Sequence, residues 1–238
     1  MNEPFVVELR TGKVKQLGKE DAKNPMERKW ETGMFKKIRT EEVWLTETGL
    51  QADEVADTKN HGGVEKALFA YPVKHYDYWQ ETNPKADMRA GGMGENLVMT
   101  EADEQTICIG DIFEFGDAII QVSQPRQPCW KPARRYQVLD LALQIQQSGL
   151  TGWYFRVVKE GNVSGQAPMK LVERIHPGWT IAKCNHIMHE DKGNLDAAQE
   201  LMELEALAPN WKRTLEKRLR GRESSIERRV YGKNVDDD

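Results

Sequence analysis

Cys129 stands in the run Ser123-Gln124-Pro125-Arg126-Gln127-Pro128-Cys129-Trp130-Lys131-Pro132, three residues after Arg126 and two before Lys131. The thiolate is the form of cysteine that attacks electrophiles and binds metals, and adjacent cations favour it. The Arg126 guanidinium also suits a phosphate, since its planar fork donates two parallel hydrogen bonds. Three prolines stiffen the segment. A cysteine met alone is more often a small buried apolar side chain. With this charge and stiffness around it, the pattern points to an anion pocket with a poised thiol. These residues do not name the ligand.

Two further segments carry more glycine and polar side chains than a core strand needs. Residues 57–67 hold His61-Gly62-Gly63 and Lys66, and residues 91–97 hold Gly94-Glu95-Asn96. Glycine permits positive φ and close approach of backbone to a ligand. Histidine titrates near working pH and can donate a proton. Each segment also has a plainer reading. Gly-Gly and Gly-X-Gly are commonly hairpin turns, and a single histidine is commonly a structural hydrogen-bonding residue. Glu95 fits a buried acceptor in a loop as well as it fits a pocket acid.

Other chemistry-bearing residues read as structural. Cys108 lies in an apolar run and is expected in the core. His186 and His189 fall three apart near Cys184, but no second ligand cluster accompanies them, so no metal site is expected there. The sequence has neither a phosphate loop ending in Lys-Ser/Thr nor a Gly-X-Gly-X-X-Gly dinucleotide fingerprint, nor a cysteine cluster for iron and sulfur. Electrons for redox chemistry are therefore expected from another protein.

The elements that must position these residues change in kind along the chain. Short apolar or alternating runs at 5–9, 43–45, 67–71, 112–115, 118–122 and 153–158 predict strands. Two helices interrupt them, one from Pro72 to about Thr82 and one over 138–147 that Gly149 ends. After His176 the pattern turns helical: Thr180 caps a helix to His189, Asn194 one to Leu204, and Pro209 opens one to Leu219 that Gly221 closes. This predicts a mostly β, α+β protein with a strand-rich part at 1–176 and a three-helix part at 177–238, frayed past Lys233. Between Trp211 and Lys233 nine basic residues face three acidic ones, a net +6 in a chain of net −4. Such asymmetry suggests a surface that meets a partner.

Composition sets the outer limits. Hydrophobic residues make up 39 % of 238, with seven tryptophans, which is enough for a packed core and excludes general disorder. Three cysteines make no disulfide framework, no apolar run could span a bilayer, and the N-terminus lacks the basic start and long apolar stretch of a secretory signal. A cytoplasmic protein that meets no membrane is expected.

His61-Gly62-Gly63 with Lys66-Ala67, then Gly94-Glu95-Asn96-Leu97, then Gly110-Asp111, then Arg126-X-Pro128-Cys129-X-Lys131, in this order, resemble the MOSC family, named for the C-terminal domain of molybdenum cofactor sulfurase. The resemblance covers about residues 4–176. Trp211-X-Arg213-Thr214-Leu215-X-Lys217-Arg218 and Arg228-Arg229-Val230-Tyr231-Gly232-Lys233 look like the three-helix extension of the YiiM-type branch, associated with resistance to 6-N-hydroxylaminopurine. One departure is visible. The family commonly has Gly-Asp ahead of the His-Gly-Gly loop, and here the pair is Ala52-Asp53. Alanine disfavours positive φ, so a different turn is expected there.

The resemblance implies a β-barrel-like MOSC domain followed by a small three-helix domain, and a molybdenum cofactor in which a pterin dithiolene holds the metal. It makes Cys129 the molybdenum ligand, places Arg126 and Lys131 at the cofactor's phosphate or pterin edge, and offers His61 as a polar neighbour or proton donor. Asn96, Gly62, Gly63 and Gly94 would line the cofactor slot, with Glu95 as a pocket acid. The implied activity is reductive removal of oxygen from N-hydroxylated bases, R-NH-OH plus two electrons and two protons giving R-NH₂ and water. A redox partner protein would dock on the basic C-terminal helices, so that their removal leaves cofactor binding intact. A carrier of the cofactor or its sulfur, without substrate turnover, is the competing reading. Nucleic-acid binding through the basic helices ranks behind both, since exposed Lys and Arg on a short helical unit usually meet solvent or an acidic protein.

Overall fold

Along 112–115 the side chains alternate between half-buried Ile112, buried Phe113, exposed Glu114 and buried Phe115, the period of a strand with one face in the core. The computed structural model describes residues 3–223 and 225–236. Its main sheet runs in the order Ala167–Pro168, Phe5–Thr11, Leu97–Thr100, Leu68–Pro72, Trp153–Lys159, Ala118–Pro125, Ile112–Phe115 and Lys170–Glu173, and Lys37–Arg39 also pairs with Phe5–Thr11. All its ladders are antiparallel except Leu68–Pro72 beside Leu97–Thr100. The sheet curls into a half-barrel. A three-stranded sheet (Gly161–Val163, Val43–Thr46, Gly49–Leu50) and the hairpin Lys15–Leu17 with Trp30–Thr32 complete the β structure.

The α-helices are α1 (His75–Thr82), α2 (Trp130–Tyr136), α3 (Leu141–Ser148), α4 (Ile181–His189), α5 (Leu195–Glu203), α6 (Pro209–Leu219) and α7 (Glu227–Val230). The last three long ones start where local chemistry says they should. Thr180 Oγ1 accepts the Lys183 amide at 3.1 Å, Asn194 Oδ1 accepts the Ala197 amide at 3.0 Å, and Pro209 is the first residue of α6. The fold is α+β, as the residue patterns predict. Among the described residues no helix is long and apolar enough to cross a membrane.

Three elements differ from expectation, one of them α3, which begins at Leu141 rather than Val138. α1 begins at His75, not Pro72, because Pro72 is the last residue of a strand registered on Met99, and the Val73 amide still donates to Met99 O. α2 follows directly on Cys129, where the prolines suggest continued loop. Pro132 sits in its first turn, where a missing N–H costs nothing.

The helical part is not an appendage. Ile181, Cys184 and Ile187 of α4, Leu201 of α5, and Trp211 and Leu215 of α6 lie in one continuous core with Ile107, Ile109, Phe113, Ile120 and Trp153 of the sheet region. Two of the basic residues are also turned inward. Arg218 donates to Ile187 O at 2.8 Å and Met188 O at 2.6 Å, and half-buried Arg229 bonds to Pro128 O and Gln146. The chain past Lys233, expected to fray, is pinned at Asn234, which is 3 % exposed and bonded to Arg134 and Trp130 O. Asp237 and Asp238 lie outside the described residues.

Ala52 corrects another expectation. It adopts the positive φ of +66° that alanine disfavours, in a turn in which the Asp53 amide donates to Leu50 O at 3.1 Å. The left-handed conformation costs an L-residue about 1–2 kcal/mol, less what a glycine would lose in unfolded-chain entropy. Ala52→Gly, at an exposed position, should therefore raise stability by about 0.5–1 kcal/mol in denaturant titration. Trp211→Ala should lower it by about 3–5 kcal/mol. A chain ending at Pro177 should expose the core face under α4–α6 and fail to fold, which the same titration and near-ultraviolet dichroism would show.

Candidate active-site cleft

Cys129 ends an extended segment immediately before α2, with φ −122° and ψ 169°. The strand Ala118–Pro125 delivers the segment, and the Arg126 amide donates to Gly152 O at 3.0 Å as the ladder ends. The loop carrying His61 and the glycine loop at 91–94 meet it across a cleft of about 200 Å³. His61, Gly62, Lys66, Gly94, Asn96, Arg126, Cys129 and Lys131 all line this cleft. Three segments far apart in sequence thus converge on one place.

The Cys129 thiol is half-buried, and burial pushes its pKa up. Electrostatic attraction and a hydrogen bond from His61, the Arg126 guanidinium and the Lys131 backbone amide outweigh that, and hold the thiol at about 6. Above that pH the thiolate predominates. Lys66, whose Nζ donates to Asn60 O at 2.6 Å, has its pKa lowered by burial, with Arg213 adding to the fall and Asp57 and the Cys129 thiolate opposing it.

Arg126 is 3 % exposed, and its guanidinium carbon sits 4.7 Å from the Phe69 ring centre. Its Nη1 is buried with no partner. A buried guanidinium nitrogen left unbonded carries an energetic penalty that an anionic ligand would remove. Lys131 is almost fully buried and adds a second cation to the same wall.

Two residues expected in the slot do other work. Glu95 is fully buried and does not line the cleft. Its Oε1 accepts from Tyr76 Oη at 2.6 Å and the Gly91 amide at 2.7 Å, while Tyr76 Oη accepts the Gly92 and Met93 amides at 3.0 Å each. Glu95 thus holds the glycine loop closed from inside, and burial raises its pKa. Gly63 also lies off the cleft lining and caps the short turn at Val64–Lys66. Gly94, with φ +87°, needs its lack of a side chain, since a Cβ would come within 3.0 Å of Met34 Cγ.

Asn96 lines the cleft, yet its amide is already occupied. Oδ1 accepts the Phe69 amide at 3.2 Å, and Nδ2 donates to Arg10 O at 3.2 Å and Asp53 Oδ2 at 2.8 Å. It fixes Asp53, which also forms a buried 2.5 Å ion pair with Lys36 and accepts the Gly12 amide at 2.8 Å. Sequence reading missed Lys36 and gave Asp53 no role. The Ala52-Asp53 pair ahead of the histidine loop was the available signal, but its partner 17 residues back was not.

Away from the cleft, Cys184 is fully buried, with its thiol pushed well up by burial. His189 is driven down to about 3 by burial, with Arg229, Arg218 and Lys192 adding to it. Exposed His186 pairs with Glu190. Among the described residues no group of three or more His, Cys, Asp or Glu could hold a bare metal ion.

Residues 57–170 match the MOSC domain family, and residues 179–222 match the YiiM-like, 3-alpha helix domain. Protein YiiM of Escherichia coli is 39 % identical over 195 residues, which is 81 % of this chain and 87 % of that protein. A protein of Gibberella moniliformis named Reductase is 31 % identical over 204 residues, 84 % of this chain but 35 % of its own length. The crystal structure of YiiM from Geobacillus stearothermophilus superposes with a TM-score of 0.75 at 34 % identity, covering 91 % of this chain and 99 % of that one.

Alkylation of the ligand-free protein by iodoacetamide should modify Cys129 first, with a rate that rises through a midpoint near pH 6 as the thiolate forms. In His61→Ala the midpoint should move upward, because the largest compensating group is gone. Cys108 and Cys184 should stay unmodified in the folded protein, since both are buried and burial raises both thiols. Mass spectrometry of the labelled peptides reads all three.

Proposed function

This chain belongs to the MOSC family, in its YiiM-like branch, and from that premise we propose that it is a molybdenum-cofactor-dependent reductase of N-hydroxylated bases such as 6-N-hydroxylaminopurine. The observation that carries the reading is the Cys129 thiol, held at about 6 by His61 beside the unpartnered Nη1 of Arg126. A soft thiolate suits a molybdenum centre. A pterin dithiolene brings its own sulfur ligands, so one protein thiolate meets what it asks of the chain. The buried cations Arg126 and Lys131 suit its phosphate. The donor set fits the group.

When bound, the cofactor supplies a centre that can exchange two electrons. The chain's own residues do the rest. Cys129 would be the ligand to the metal, and Arg126 and Lys131 would hold the anionic end. Lys36, Asp53 and Asn96 keep the opposite wall rigid through their buried bonds. His61 delivers a proton to the hydroxyl oxygen that leaves as water. The overall change takes R-NH-OH, two electrons and two protons to R-NH₂ and water. The electrons come from a protein donor, for which the exposed Lys217, Arg220 and Arg222 offer a basic face. The relative named Reductase supports oxidoreductase chemistry on this scaffold.

The test is elemental analysis of protein made in cofactor-producing cells and purified without oxygen, followed by reduction of hydroxylaminopurine with an artificial donor. Molybdenum near one per chain with turnover is expected. Cys129→Ser should lose both, and Arg126→Lys should retain less molybdenum, because the charge survives but the fork does not. Wild-type turnover in Cys129→Ser overturns the assignment of the ligand. Molybdenum bound with no turnover of hydroxylated bases would instead make the protein a cofactor carrier.

A further inference from the structure

The loop that presents Cys129 draws much of its support from outside itself. Pro125 and Pro128 have no amide hydrogen, so the strand ladder stops and the carbonyls around the cysteine need donors from elsewhere. Three such donors come from the C-terminal helical part, beside Gln124 Nε2, which donates to Pro125 O at 3.2 Å. Trp211 Nε1 donates to Pro125 O at 3.1 Å, Arg229 Nη1 donates to Pro128 O, and Asn234 Nδ2 donates to Trp130 O at 2.9 Å. Asn234 is itself oriented by Arg134 Nε, 2.8 Å from its Oδ1.

The same unit also references the histidine loop. Glu65, four residues after His61, accepts from Arg156, which in turn donates to Ala206 O at 2.8 Å, between α5 and α6. Ser123 Oγ donates to Glu65 O at 2.6 Å while Ser123 O accepts the Ala208 amide at 2.9 Å. Both loops that meet at the thiolate are therefore tied to one helical body.

Within this clamp Arg229 is the contact nearest the chemistry. One arm of its fork reaches Pro128 O, the residue before Cys129, and the other reaches Gln146 Oε1 in α3 at 2.5 Å. We infer that Arg229 is a positioning residue: it bridges α3 and the cysteine loop, and so fixes where the Cys129 sulfur stands in the cleft. This rests on the proposed role of Cys129 and adds a function for the extension that needs no docking partner. Its guanidinium also lies close enough to the thiolate to feel its charge. Lysine could satisfy one of the two acceptors but not both, because the bridge needs a planar fork.

Five single variants are compared with wild type: Arg229→Gln, Arg229→Lys, Gln146→Ala, Arg228→Ala and Lys233→Ala. Backbone amide exchange is measured over 126–136 in the cofactor-free protein. Then kcat and KM for a hydroxylated base are measured with an artificial donor, beside the unfolding midpoint. In Arg229→Gln, exchange over the loop should rise and kcat should fall by about tenfold or more, the scale of one lost charged hydrogen bond. KM and the unfolding midpoint should hold. Arg229→Lys should recover part of the loss. Gln146→Ala should show the same kind of loss, and the double variant Arg229→Gln/Gln146→Ala should be no worse than Arg229→Gln alone. Arg228→Ala and Lys233→Ala should match wild type.

Wild-type loop exchange in Arg229→Gln overturns the inference. So does an equal loss in Arg228→Ala, which would mean a general charge effect. A fall in unfolding midpoint with protection lost across α3–α6 would reduce Arg229 to a structural residue and also overturn it. Absence of wild-type turnover would defeat the proposed function, while the exchange arm would still decide whether Arg229 sets the loop.

Discussion

A thiolate in a half-buried cleft persists only while the groups that offset its burial stay in place. Desolvation is the largest influence on Cys129 and acts against the charged form. His61, Arg126 and the start of α2 must therefore all be held against it at once. None of them is near His61 in sequence, so the offset is a tertiary property. The sheet supplies part of it: the parallel pairing of Leu68–Pro72 with Leu97–Thr100 brings the end of the histidine loop and the glycine loop to the same edge. Buried side-chain networks supply the remainder, with Glu95 and Tyr76 on one side and Asn96, Asp53 and Lys36 on the other.

These networks share a design. In each, a buried acid accepts from one backbone amide and from at least one strong side-chain donor. Asp53 accepts from Gly12, Lys36 and Asn96, and Asn96 forms the wall. Glu95 accepts from Gly91 and Tyr76, and Gly94 forms the wall. Fully satisfied buried polar groups rigidify their surroundings, as at Asp53, whereas Glu95 Oε2 is buried without a partner. The cleft is consequently stiff on the side of Asp53, and Arg126 Nη1 on its lining is buried with no partner.

What was legible in the residues follows from how local each signal is. Thr180, Asn194 and Pro209 announce helices because capping is settled within four residues. Gly62, Gly94 and the proline-flanked Cys129 announce loops for the same reason. The start of α2 was hidden because a proline in a first turn and a proline in a loop look alike in sequence. Lys36 with Asp53, and Arg229 with Pro128, were hidden because each is a pair joined only by folding. The basic run from Trp211 to Lys233 misled in part: charge counts do not say which arginines turn inward, and Arg218 and Arg229 do.

The bond from Asn234 to Trp130 spans 104 residues. During synthesis at roughly 5–20 residues per second, the cysteine loop leaves the ribosome about 5–20 s before the residue that completes its support. Over that interval the thiol has emerged without its clamp, because the donors of α6 and α7 to Pro125 O and Pro128 O do not yet exist.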